Sequence, residues 1–150
     1  MPAMERGPHV NVAAFCETTI LGQDGALSLI RIIDTVTQTA TGPDPPSAMP
    51  AFVVNAKLAI TLRADEARGR YALMFRPEAP DGRHLPEQEQ AIQFEGGHAG
   101  VNLIVGVQFA ADLEGVYWFD VIFMAAEGEE RLLTRVPLRV VYQPQRTPGQ

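Results

Sequence analysis

The chain has 150 residues, 46% hydrophobic and 20% charged, with a formal net charge of -6 and a pI near 5.0. That length suffices for one domain that buries roughly 70% of its unfolded surface without staples. The acidic balance excludes a nucleic-acid binder, which needs a basic face against phosphate, and no apolar run reaches the ~18 residues of a membrane span.

Cys16 is the only cysteine, so no intrachain disulfide forms, and a reducing cytoplasm is the expected setting. Lys57 is the only lysine among 12 basic residues, a bias that a GC-rich genome explains as readily as function does. Residues 1–8 lack the apolar core of a signal peptide and read as a disordered lead.

The first expected strand is 9–16 (HVNVAAFC), with Val10, Val12, Ala14 and Cys16 inward and Phe15 on the other side. Gly22-Gln-Asp-Gly25 is a turn signal. Residues 26–36 (ALSLIRIIDTV) are apolar on both faces and read as a central strand. The segment 41–50 holds four prolines and reads as a crossing between two sheets. Residues 52–62 alternate without a break, from Phe52 and Val54 to Leu62 on the inner face. A turn over 64–69 would then let 70–76 (RYALMFR) pair back.

Pro80-Asp81-Gly82 marks another turn, and a weak strand follows at 88–94. Residues 96–100 (GGHAG) read as a flexible loop, and 101–109 as a strand. In 113–123 (LEGVYWFDVIF), Tyr117, Phe119, Val121 and Phe123 share a face, with Gly115 at the bend into the strand. A turn at 127–130 precedes the last strand, 132–142. Pro137 removes a ladder donor and places that strand at an edge or beside a bulge. The tail from Pro144 reads as disordered, leaving one domain over 9–143.

About eight strands at even spacing, with no persuasive helical period, make an all-β antiparallel sandwich. A tyrosine at the entrance to a late strand is similar to the tyrosine corner of immunoglobulin-like domains, where the hydroxyl bonds to upstream backbone. Phe119 stands where antibody domains carry their second cysteine. Two stretches carry a further resemblance. One is Phe15-Cys16-Glu17 with Gly25-Ala-Leu-Ser-Leu-Ile30 and Asp34. The other is Leu113-x-Gly115-x-Tyr117-x-Phe119 with Arg135-x-Pro137-Leu138-x-Val140. They resemble a group of small bacterial single-domain β-sandwich proteins of unknown function. The resemblance implies the fold and a bacterial cytoplasmic setting, and brings no activity, ligand or catalytic residue.

No phosphate loop, dinucleotide fingerprint, nucleophile elbow, zinc-protease motif or paired C-x-x-C is present. His9, His84 and His98 are read as solvated or capping residues, since a zinc site needs three or four converging ligands. Cys16 continues an apolar side and reads as a buried, inert thiol rather than a nucleophile. Asp24, Asp44, Asp65, Glu66 and Asp81 are turn acids, not a calcium cluster. Glu127, Glu129, Glu130 and Arg131 read as a solvated hairpin tip. Arg31, flanked by isoleucines, needs a carboxylate such as Glu17 or Asp34, or a route to water. Catalytic residues, metals and cofactors are therefore not expected.

The sharper expectation is a surface. Opposite the Tyr117 face stand Val116, Trp118, Asp120, Ile122 and Met124, where a solvated sheet should turn polar. With immunoglobulin-like pairing, Trp118 would sit among Ile104, Ile122 and Leu133, rimmed by Arg135, Arg139 and Gln108. That composition suits a protein partner or a homodimer, unless a crossing loop or the tail covers the face. The alternative is a small-molecule-binding or enzymatic sandwich using end loops around His84 and His98.

Overall fold

The computed structural model describes residues 7–125 and 128–147, with His98 described by its backbone alone. Seven strands follow in order: β1 (His9–Leu21), β2 (Leu27–Ile32), β3 (Thr35–Gly42), β4 (Phe52–Glu78), β5 (Gln88–Ala111), β6 (Gly115–Met124) and β7 (Glu130–Arg146). Two of them bend and serve both layers of a sandwich. Residues 57–63 of β4 pair with β1 and 52–63 with 100–111 of β5, whereas 68–75 pair with 88–95 of β5 and 72–78 with β6. The first sheet thus runs β2, β1, β4, β5; the second runs β5, β4, β6, β7, β3. All pairings are antiparallel except β3 with β7.

The layers meet through aromatic rings. Phe15 of the first sheet lies edge-on to Phe119 of the second at 5.0 Å, and Phe109 packs on Tyr117 at 5.0 Å and on Phe119 at 5.5 Å. Leu58, Ile60, Leu62, Leu73 and Leu138 are fully buried around them. The Tyr117 corner is present. Its hydroxyl donates to the Leu113 carbonyl (2.8 Å) and accepts from the Leu113 N–H (3.2 Å). Gly115 has a φ of 132°, and a Cβ there would stand 2.8 Å from the Pro80 ring. Glycine is therefore the residue this approach admits. The fold is an all-β sandwich of immunoglobulin-like character, as the alternation predicts.

Several local expectations change. Residues 64–69 are not a hairpin, and 70–76 do not pair back onto 52–62. The chain instead passes through bulges between Arg63 and Arg68 and continues into the second sheet. Likewise 96–100 is part of β5, with Gly96 at φ 84° and Gly97 at φ 65°. The segment 26–36 is not one central strand. It divides at Ile33-Asp34 into β2, at the edge of the first sheet, and β3, at the edge of the second.

In β1 a bulge between Val10 and Val12 reverses the expected phase. Val10 and Phe15 face the core; Val12, Ala14 and Cys16 share the outer face with Thr61, Ala59 and Lys57. β7 extends through Pro144 to Arg146, pairing with Ala40, Thr41 and Gly42, so these residues are not a disordered tail.

Other readings hold. The 41–50 segment links β3 in the second sheet to the part of β4 in the first. Asp24 accepts from the Ala26 N–H (3.1 Å) and Asp81 from the Arg83 N–H (3.2 Å), as turn acids do. One reading changes: Pro137 does not put β7 at an edge, because β7 lies between β6 and β3, but Pro137 precedes the stretch that β3 pairs, which begins at Arg139. Arg139 N–H, two residues on, donates to Asp34 O at the point where β3 begins.

Candidate interaction surfaces

The residues expected to surround Trp118 are not one patch. Ile104 and Gln108 lie on β5 in the first sheet, opposite Ala59 and Asn55, and do not neighbour β6. Ile122 is 4% exposed. Leu133 is the extra residue of a bulge, because Val121 pairs with Thr134 and Ile122 with Leu132. Leu133 therefore packs toward the core, and Leu132 points out at 53% exposure. Trp118, Asp120, Met124, Arg135 and Arg139 do share the outer face of the second sheet.

That face is laced by charge. The Arg135 guanidinium lies 4.9 Å from the Trp118 ring centroid, 2.6 Å from Asp120 Oδ1 and 3.4 Å from Glu78 Oε2. Arg76 spans Glu87 (2.6 Å) and Glu130 (3.3 Å). A cation is stacked on the π-face of the indole. Pro46 in the proline-rich segment accepts from the Tyr142 hydroxyl (2.6 Å).

The first sheet's outer face is different. Three rows cross it: Ile32, Cys16, Lys57 and Gly106; Ala14, Ala59 and Ile104; Val12, Thr61 and Asn102. Ile32 is 66% exposed, Val53 55%, Val12 43%, Ile104 41% and Ile30 37%, standing around a floor where Cys16 and Ala59 are buried. Lys57 is exposed on this face and makes no ion pair among the described residues. Sequence reading missed this surface because it assigned Ile30 and Ile32 to a central strand and Val12 to the core.

The titratable candidates are scattered. Cys16 is buried as expected, though on the outer face, and burial pushes its thiol pKa up against the opposing pull of Lys57. A thiol so placed is a weak nucleophile. Arg31, at φ 55°, turns outward and pairs with Glu17 at 2.9 Å. Both partners are more than half exposed, so the pair contributes little.

His9 is hydrogen-bonded to Asp65, and Arg63 Nε lies 2.7 Å from the other carboxylate oxygen. The bond from His9 first, and Arg63 next, hold the Asp65 carboxyl below its usual range. Arg131 bonds the Gly7 carbonyl (2.6 Å) and stacks on Phe123. Glu127 lies outside the described residues.

His84 is exposed and bridges to Glu78, beyond the end of β4. His98 belongs to the bend of β5, opposite residues 63–65 of β4, and its side chain is outside the described residues. The second half of β4 separates them by about 30 Å at ~3.3 Å per residue, so they build no common site. Among the described residues, no group of three or more His, Cys, Asp or Glu gathers to hold a metal. Nor is any helix among the described residues long and apolar enough to cross a membrane.

A cavity of about 270 Å³ opens between the sheets, lined by Phe75, Pro77, Leu85, Val107, Phe109 and Phe119, with Gln88 and Gln108 also in its wall.

No family model and no curated protein matches the chain. Among solved structures it is similar to an immunoglobulin-like protein from Pseudomonas aeruginosa, 11% identical, in a match covering 92% of this chain and 99% of that one at a TM-score of 0.39. So loose a superposition speaks to no ligand or activity.

Proposed function

We propose that the protein is a non-enzymatic interaction module that binds another protein, or a second copy of itself, through the outer face of its first sheet. One observation carries this reading. Ile30, Ile32, Val12, Ile104 and Val53 stand exposed on a sheet face that should alternate to polar residues. In the first sheet Arg31 pairs with Glu17, and His9 and Arg63 with Asp65, but none of these pairs involves the rows around Cys16 and Ala59, whereas Arg76 and Arg135 lace the other sheet. Fully burying one such aliphatic side chain contributes about 1.5–3 kcal/mol, so a few together support a specific contact.

Trp118, with Met124 and Arg139, is the candidate contact on the second sheet. Leu132, exposed on the same sheet opposite Ile122, favours that lesser role, and a partner at Trp118 would have to share or displace Arg135.

The test is affinity purification from cells of the native species, together with light scattering of the purified chain. Wild type is compared with Ile32→Glu/Ile104→Glu and with Trp118→Arg. The double variant is expected to fold, and to lose either a co-purifying protein or a concentration-dependent increase in mass. A monomeric wild type with the same co-purifying proteins as the double variant would refute the reading.

A further inference from the structure

The second half of β5 is an edge strand of an unusual kind. Residues 101–111 (VNLIVGVQFAA) pair with β4 on one side and with no strand on the other among the described residues. Among the described residues, none of their backbone groups bonds to backbone outside the sheet. The stretch contains no Asp, Glu, Lys, Arg or Pro, the residues that normally blunt a sheet edge against pairing. The first half of the same strand is an edge too, yet it carries Glu89 and Glu95. The other edge of the first sheet, β2, carries Arg31 at a positive φ. The open stretch thus lacks the charge these two edges carry; β3, at the far edge of the second sheet, lacks it too, but is shorter and threonine-rich where 101–111 is apolar.

Two features beside this edge narrow what would fit it. On the core side lies the 270 Å³ cavity, walled by Val107 and Phe109 of the edge strand itself. It exceeds an apolar cavity of ~150 Å³ known to admit benzene, so it has room for an aromatic or long aliphatic side chain. On the outer side, Lys57 pairs with Gly106 across the ladder, and a Cβ on Gly106 would meet nothing within 4 Å. The lone lysine therefore has an unobstructed path over Gly106 to whatever lies beyond the edge.

Building on the interaction role proposed above, we infer that the partner is an extended peptide segment of another protein. It adds as a strand to residues 101–111, inserts an apolar side chain into the cavity, and offers Lys57 a carboxylate. Strand addition of this type draws affinity from main-chain bonds and specificity from alternate side chains. A second copy of β5 fits less well, since its own Val105, Val107 and Phe109 are committed to its own core.

The experiment pans a random ten-residue peptide display library against the full chain. Enriched peptides are then synthesised and measured by calorimetry and by hydrogen exchange of the chain. Expected are peptides with alternating apolar residues and a Glu or Asp, slowing exchange within 101–111. Lys57→Glu should weaken binding about tenfold, the scale of one charge pair. Leu85→Trp, which fills the cavity from its lining, should abolish it. Lys57 is exposed, so its variant keeps the comparison valid if Leu85→Trp misfolds.

Failure to enrich any peptide overturns the inference, as does protection confined to 30–32. Loss of exchange at 101–111 through self-association, without peptide, assigns the edge to a second copy and also overturns it. All three leave the purification result with Ile32→Glu/Ile104→Glu standing, so the broader role and this partner fail separately.

Discussion

Tyr117 shows how one side chain can settle a corner. Its ring is fully buried among Phe109 and neighbours, while its hydroxyl closes a loop onto both polar groups of Leu113. Burial pushes the phenol pKa up, so the neutral, donating form is held. Tyr117→Phe removes both bonds and leaves two Leu113 groups unpaired, at a cost of about 1–3 kcal/mol. Urea unfolding should show a lower midpoint with an unchanged slope; an unchanged midpoint would mean that packing alone makes the corner. This residue was legible in the sequence because its period-two neighbours and Gly115 pointed to the same bend. Cys16 was half legible: buried, as its apolar neighbours implied, but on the opposite face.

At the scale of strands, alternation identified 52–62, 101–109 and the Tyr117 strand, because half-buried strands write their two faces directly into sequence. It failed where a bulge intervened. Asp65 at φ 51° and Gly96 at φ 84° carry the conformations a hairpin would use, yet here they bend strands that continue. Turn and bulge draw on the same residues, and the distant pairing partner decides between them. Leu133 and Val12 were misplaced for the same reason, and the Trp118 patch dissolved with them.

The β4 bend yields a prediction of its own. The Asp65 carboxyl is lowered by its bond from His9, so its stabilising effect is present above the unfolded carboxylate pKa and is lost as pH falls through the folded value. Asp65→Asn should therefore be less stable than wild type at pH 7. Its stability should also fall less steeply from roughly pH 4 downward. Parallel acid limbs in chemical denaturation would remove the link between this carboxylate and the bend.

Across the whole molecule, β4 is the spine. It is paired on both sides in the first sheet and again in the second, and Leu58, Ile60, Leu62 and Leu73 are fully buried. Opening it requires opening both layers, so its amides should exchange near the global unfolding limit. β2, paired on one side and exposed at Ile30 and Ile32, should exchange fastest among the strands. Native-state hydrogen exchange resolves this, and equal protection of β2 and β4 would contradict it. Fold class was readable because it rests on composition and periodicity. The interaction surface was not, because which face of a strand stays bare depends on what the rest of the chain fails to cover.

The lone parallel pairing carries a temporal consequence. β3 finds its neighbour in β7, on the order of a hundred residues downstream, and among the described residues no other strand bonds to it. During synthesis, threonine-rich β3 must wait with both flanks unclaimed while β1, β2, β4, β5 and β6 can already assemble. Registering β3 is then a finishing step, and a ribosome that stalls before β7 is made would leave a nearly built sandwich with one strand still loose.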